Sequence, residues 1–384
     1  MFLKTQGIEV AVIGAGIAGA SCARWLAESG CRVQVIDKSR GMGGRLATRR
    51  LQWTDTEGRL QTTALDHGAP GFAAQGEPFQ AWVATAVQAG VLAPWRPTLA
   101  PGSRPLDEPG PLYIGLPDMP AACRWLLQHL PFTPNATVER LRKTPAGWLL
   151  EGSGPLPTQA FNAVVLALPP AQAAPLLAEY RRDWAQRAAM ALMQPGWTLM
   201  GVSDAPPGMP AWDAARPQHG PLAWVLRHAA RPGRQAPAGE AHWVLHARAG
   251  WSRQQLEQPP SQVQAALQAA LQGWLQQPLA WRHAVVHRWR YALPMTTGGE
   301  VDASCWWDAA QGLGACGDFL GGGGVEAAWA SARALVQAMR HAPQTPSTAQ
   351  ATAAGRASAP ALATSADACR AGTDMPPQGH PAAA

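Results

Sequence analysis

Glu9-Val10-Ala11-Val12-Ile13-Gly14-Ala15-Gly16-Ile17-Ala18-Gly19 is the stretch that decides the fold. Its first half is a short apolar run with β-branched residues that stops at a glycine, the pattern of a parallel strand buried on both faces. Residues 18–29 read as the helix that follows, Gly30 as its C-terminal stop, and residues 32–36 as the next strand, ending at Asp37. Together they predict a βαβ unit. Gly14 is placed to make the tight turn, Gly16 to let a pyrophosphate approach the backbone, and Gly19 to let helix and strand pack closely. The helix start then offers its N–H groups and positive end to phosphate. Asp37 can accept hydrogen bonds from an adenosine ribose. A dinucleotide site is therefore expected at Gly14, Ala15, Gly16, Ile17, Ala18 and Gly19, with Asp37 and Lys38 at its acid end.

Outward from this unit the chain is that of a globular enzyme. At 384 residues it exceeds one typical domain, and 47% hydrophobic against 15% charged residues is ample for a buried core. Residues 78–89 and 262–276 read as helices, 163–168 as a buried strand closed by Pro169-Pro170, and 243–247 and 285–291 as strands of a separate sheet. Residues 326–339 form a strong helix pattern opened by Gly321 to Gly324. From residue 343 onward Ala, Pro, Ser, Thr and Gly dominate, too little apolar surface to offset ordering entropy, and a disordered tail is expected.

The formal charge of +6 comes from basic residues spread singly, which argues against a nucleic-acid partner. Arg-rich pieces at Arg45, Arg49, Arg50 and at Arg282, Arg288, Arg290 could hold anionic groups or be solvated surface. Cys22, Cys31, Cys123, Cys305, Cys316 and Cys369 lack metal-site or CxxC spacing and read as free thiols of a reducing, cytoplasmic compartment. Residues 10–23 mimic a signal peptide, but their glycines have the use described above. No run of about 18 apolar residues predicts a membrane span.

Lys38-Ser39-Arg40-Gly41-Met42-Gly43-Gly44-Arg45-Leu46-Ala47-Thr48 resembles the second glycine motif of the flavin-containing amine oxidase superfamily. Gly317-Asp318-Phe319-Leu320-Gly321-Gly322-Gly323-Gly324-Val325-Glu326-Ala327-Ala328 is similar to the segment that closes over the isoalloxazine there. Asp66-His67-Gly68-Ala69, Trp251-Ser252 and His287-Arg288-Trp289-Arg290-Tyr291-Ala292 look like the renalase-like branch. The resemblance covers roughly residues 8–340. It implies noncovalent FAD, since no Cys stands at the position used for covalent attachment. Gly44 and Arg45 would meet the pyrophosphate, Val138 the adenine, Gly317 and Asp318 the ribityl or phosphate side, and a helix from Val325 the flavin N1/O2 edge. Cys316 reads as a buried thiol.

The fold expected is α/β: a glutathione-reductase-like FAD-binding Rossmann domain with an inserted α+β substrate domain carrying a mixed or antiparallel sheet. The FAD-binding domain would take residues 1–75, 135–170 and 305–342, the substrate domain 76–134 and 171–304, and the tail 343–384. In the last substrate-domain strand, alternation puts His287, Trp289 and Tyr291 on one face and Arg288 and Arg290 on the other. Trp289 and Tyr291 are pocket candidates, as is His67, each with an ordinary packing role as the alternative. The implied activity is hydride transfer from a small molecule to flavin N5 with reoxidation by O2, the donor in the renalase-like branch being a dihydronicotinamide dinucleotide isomer. An amine oxidase or desaturase of the same superfamily, and a flavin-binding redox sensor without turnover, remain alternatives.

Overall fold

In the computed structural model, described over residues 7–209, 211–295 and 304–341, β1 (Glu9–Ile13) turns into α1 (Ile17–Glu28) and returns as β2 (Arg32–Ile36). β1 and β2 pair in parallel, Val10 beside Val33 and Ile13 beside Ile36. The full sheet has six strands in the order Trp306–Asp308, Leu313–Ala315, Ala163–Leu166, β1, β2, Phe132–Thr133, and only the Trp306–Asp308 edge runs antiparallel. Val10 and Val12 point into one apolar cluster with α1 and the helix Gly324–His341. Ala11 and Ile13 point into another, with the hairpin of Thr137–Thr144 and Gly147–Ser153 and the helices Pro170–Leu177 and Arg182–Met190. Burial on both faces is why β1 reads as an unbroken apolar run.

A second sheet of five antiparallel strands has the order Ala214–Ala215, Leu222–Arg227, Glu240–Ala247, Met193–Asp204, Trp281–Pro294. Trp197, Leu199, Trp243 and Leu245 bury one face against Val263, Leu267 and Leu271 of the helix Pro260–Leu275. The four-residue spacing of those three aliphatics makes the apolar stripe, and each contributes roughly 1.5–3 kcal/mol by burial. Met200, Leu226, Val244 and Val285 on the other face join the cluster that contains α1. An antiparallel ribbon of β3 (Thr48–Thr54) and β4 (Leu60–Asp66), then α2 (Glu77–Gln88), complete the elements that bear on the site. The α/β class with a separate antiparallel sheet is thus the one expected.

The strand expected at 285–291 runs over Trp281–Pro294, because nearly all of its length pairs with Met193–Asp204. The strand expected to reach residue 168 stops at Leu166, where Pro169-Pro170 cannot donate and instead starts the helix Pro170–Leu177. The expected tail at 343–384, with Cys369, lies outside the described residues. Among those residues Cys22, Cys31, Cys123, Cys305 and Cys316 are free thiols, and Cys316 is buried as expected. Among the described residues no helix is long and apolar enough to cross a membrane.

Candidate functional site

The first glycine motif divides into two jobs. Gly14 has φ +110°, and a Cβ there would sit 2.3 Å from the Ala167 carbonyl oxygen; a Cβ on Gly19 would sit 1.8 Å from the Gly14 carbonyl oxygen. Both glycines are therefore demanded by the protein's own packing. Gly16 is not. Its backbone is ordinary, and a Cβ would meet nothing nearer than Gly44 Cα at 3.8 Å. Gly16 caps α1 without a side-chain acceptor, and no acidic residue stands in the first turn, so the first N–H groups of α1 are left for an external anion. The open face of Gly16 is the cradle that a pyrophosphate would fill.

The second motif lies directly on this loop: Gly16 bridges Gly43, and Gly43 N–H donates to the Ala15 oxygen at 2.9 Å. Gly43 and Gly44 have φ of +122° and +56°, left-handed conformations that favour glycine. Asp37 accepts from Ala15 N–H and Ser39 N–H, both at 2.7 Å. A carboxylate has further lone pairs for ribose hydroxyls. Ala136 N–H donates to the Asp37 carbonyl at 3.0 Å, which sets half-buried Val138 at the start of a strand beside the acid; Lys38 is exposed.

Arg45 and Asp318 find each other. Two parallel bonds of 2.7 and 2.5 Å join them, and Arg45 donates as well to the Ala292 oxygen at 3.0 Å. Asp318 is buried, while about a third of the Arg45 side chain (33%) stays accessible. Gly317 N–H is held by Ser331 Oγ at 3.0 Å. Sequence reasoning gave both charges to the cofactor and missed that each is already the other's partner. It also missed Glu326, one residue past Val325 in the first turn of the helix, whose carboxylate accepts Gln75 N–H and Gly76 N–H at 2.8 and 2.7 Å. That acid offsets part of the positive helix end.

Asp66-His67-Gly68-Ala69 threads beside the second glycine motif. His67 N–H donates to Ala47 and Ala69 N–H to Arg45, and a Cβ on Gly68 would sit 2.1 Å from the Arg45 oxygen, so only glycine allows the approach. Asp66 is fully buried and accepts from Arg234 Nη2 at 2.7 Å, Arg231 Nη1 at 3.1 Å and the Thr48 hydroxyl, with His228 Nε2 3.3 Å away. Burial alone would raise its pKa, but His228 3.3 Å away, whose Nε2 accepts the Asp66 backbone N–H, and the two guanidinium groups pull it well below the usual carboxylate range. One carboxylate against two guanidinium groups leaves an excess positive charge in the protein interior.

This network fixes His67 against the second sheet. Its ring stacks on Trp289 with centroids 5.1 Å apart and meets His287 edge-on at 4.9 Å. His287 and Trp289 share a face as the alternation implied, and the structure adds His67 to them. Tyr291 departs from it: a register shift places extra residues between Trp289, opposite Gly196, and Leu293, opposite Gln194, so strict alternation ends at Trp289. Arg288 and Arg290 both bond Glu257, at 3.0 and 2.7 Å, and Arg282 bonds Asp204 and Glu240; these arginines hold acids of the chain itself. Arg49 instead bears on the histidines: burial first lowers the pKa of His67, His283 and His287, and the Arg49 charge adds to it.

His246 went unnoticed in the sequence. Register places Trp224, His246, Thr198 and His287 in one row across four strands, and Thr198 Oγ1 lies 3.2 Å from His246 Nδ1. His246 Nε2 and His67 Nδ1 are buried without a protein partner. Burial first, then neighbouring positive groups, lowers both imidazoles to about 3, so both are neutral at neutral pH. A strand histidine with apolar neighbours carries no local signal of this; only the register of the neighbouring strand does. A hollow of about 440 Å³ lined by Trp212, Trp274 and Leu275 lies on the helix-covered side of the sheet, away from this row.

Residues 12–86 match the profile of the NAD(P)-binding Rossmann-like domain. Among solved structures, the chain is similar to a protein assigned as a protoporphyrinogen oxidase from Exiguobacterium sp. 255-15, with a TM-score of 0.64 at 10% identity over 87% of this chain and 98% of that one. Cyclohexylamine oxidase from Brevibacterium oxydans IH-35A gives 0.60 at 13% identity over 87% and 99%. An engineered putrescine oxidase gives 0.60 at 13% over 87% and 98%. At such identity the likeness is one of fold, and it extends over both sheets.

Proposed function

We propose that this chain is an FAD-dependent oxidoreductase that holds its cofactor noncovalently along Gly14 to Gly19, Asp37, Lys38, Gly44, Arg45, Val138, Gly317, Asp318 and Val325. The observation that carries the reading is the contact of Gly16 with Gly43: it lays two glycine motifs side by side at the uncapped start of α1, with a face that the protein leaves open. Bound FAD supplies the hydride acceptor and its reoxidation by O2. The chain's part is to bind, orient and exclude water. Asp37 takes the ribose, the α1 N–H groups the pyrophosphate, and the Arg45–Asp318 pair fixes the loop that closes on the ring end. The second sheet supplies the substrate side, where His67 and Trp289 line the donor's approach.

The donor we favour is a dihydronicotinamide dinucleotide isomer, on the renalase-like motifs and on the positive charge around His67. Arg49 takes the role of phosphate partner that Arg288 and Arg290, bound to Glu257, do not fill. The amine oxidase reading is kept because two structures of like fold are a cyclohexylamine oxidase and a putrescine oxidase. Acid precipitation of the purified yellow protein tests cofactor and attachment together. FAD in the supernatant is the expected result; flavin retained in the pellet, or a colourless protein, contradicts it.

A further inference from the structure

We propose that His246, beside Thr198 in the strand row that His287 joins to His67, is the specificity-determining clamp for the substrate's head group. The head group is a planar carbonyl function, carboxamide or carboxylate, and never an ammonium cation. The inference rests on the reading of the second sheet as the substrate side.

Three observations carry it. First, the row Trp224, His246, Thr198, His287 lies on the face of the sheet that the helix Pro260–Leu275 does not cover, the same face as Met200 and Val244. Second, His246 Nε2 on that face and Nδ1 of His67, which packs against it, are buried and unpartnered, as is Nδ1 of His242 further along the strand, although buried polar atoms are ordinarily satisfied. The clamp assigns the Thr198 hydroxyl, 3.2 Å from His246 Nδ1, as the donor of that bond, which puts the His246 proton on Nε2 and makes it a donor that needs an acceptor from outside the chain. His246 is near enough for its charge to lower the His67 pKa, after burial, His287 and Arg49. Third, the surroundings are positive: Arg231 and Arg234 exceed Asp66 by one charge, and the charge of Arg49 is felt at His67 and His287. Such a site keeps imidazoles neutral and opposes a second cation, whereas a carbonyl oxygen or carboxylate is welcome.

Isothermal titration of the full-length protein as purified, at neutral pH, tests the clamp with three probes built on one phenyl ring: benzamide, benzoate and benzylammonium. Benzamide or benzoate binds more tightly than benzylammonium, and which of the two binds better tells amide from carboxylate. His246→Ala weakens the better carbonyl probe by about three- to tenfold, the effect of one lost hydrogen bond. His246→Gln retains a donor and most of the affinity, and Thr198→Val, nearly the same size, weakens binding by releasing the ring. Should His246→Ala fail to fold, the other two variants decide. Benzylammonium binding as tightly as the carbonyl probes, or full carbonyl affinity in both His246→Ala and Thr198→Val, overturns the clamp. Flavin content read from the absorbance of the same samples judges the cofactor reading separately, since titration reports the clamp whether or not the protein is yellow.

Discussion

Arg45 and Asp318, 273 positions apart in the chain, form a two-point ion pair at 2.7 and 2.5 Å. The pair locks the second glycine motif to the segment before the last helix, and the third bond of Arg45, to Ala292, adds the long strand of the second sheet. Three separate regions of sequence are thereby held at one place.

Arg45→Ala leaves Asp318 buried without its cation and is expected to destabilise the flavin-free protein by about 2–3 kcal/mol. Arg45→Lys is expected to recover only part of that, because an ammonium cannot form the two parallel bonds. The double variant with Asp318→Ala should lose less than the sum of the singles. Chemical denaturation of the wild type and the four variants measures this; strict additivity in the alanine cycle would mean that the pair contributes nothing.

Gly16→Ala and Gly19→Ala separate ligand space from packing space. With nothing nearer than 3.8 Å, a Cβ at Gly16 should leave the melting temperature of the flavin-free protein unchanged and weaken FAD. A Cβ at Gly19, 1.8 Å from a carbonyl oxygen, should destabilise the fold itself. Equal FAD affinity of wild type and Gly16→Ala by titration would show that the cofactor does not approach there.

His67 and His246, with His228, His283 and His287 also depressed by burial, shape the acid side of the stability curve. The folded pKa of about 3 of the first two lies below the ordinary value near 6.5, so the unfolded chain binds more protons between those limits. Their contribution is complete above about pH 6.5 and declines by roughly 1.4 kcal/mol per pH unit for each as pH falls towards 3. Asp66, also depressed, adds its loss below about pH 4. Stability measured against pH should fall less steeply between 6.5 and 4 in His246→Gln than in the wild type, and parallel curves would contradict this assignment. Asp66→Asn should cost about 3–5 kcal/mol at neutral pH, because it strands two buried guanidinium groups.

What could be read in the sequence was what local chemistry writes there. The β1–α1–β2 unit announced itself because a doubly buried strand is an apolar run, and Gly14 and Gly19 because packing forbids a Cβ. The apolar stripe of Pro260–Leu275 was equally legible from its spacing. The partners of Asp66 were not: His228, Arg231 and Arg234 come from a loop with no periodicity, and only the folded chain brings them to the end of β4. His246 looked like any strand residue, and the alternation that grouped Tyr291 with Trp289 failed at a register shift that no local pattern marks.

Anaerobic mixing of the purified protein with a reduced donor tests the central claim most directly. Dihydronicotinamide isomers should bleach the flavin absorbance faster than cyclohexylamine or putrescine does, and admission of air should restore the colour with release of hydrogen peroxide. Faster bleaching by the amines would move the enzyme to the amine oxidases. A flavin that dithionite bleaches, but that neither class of donor does, would contradict the account.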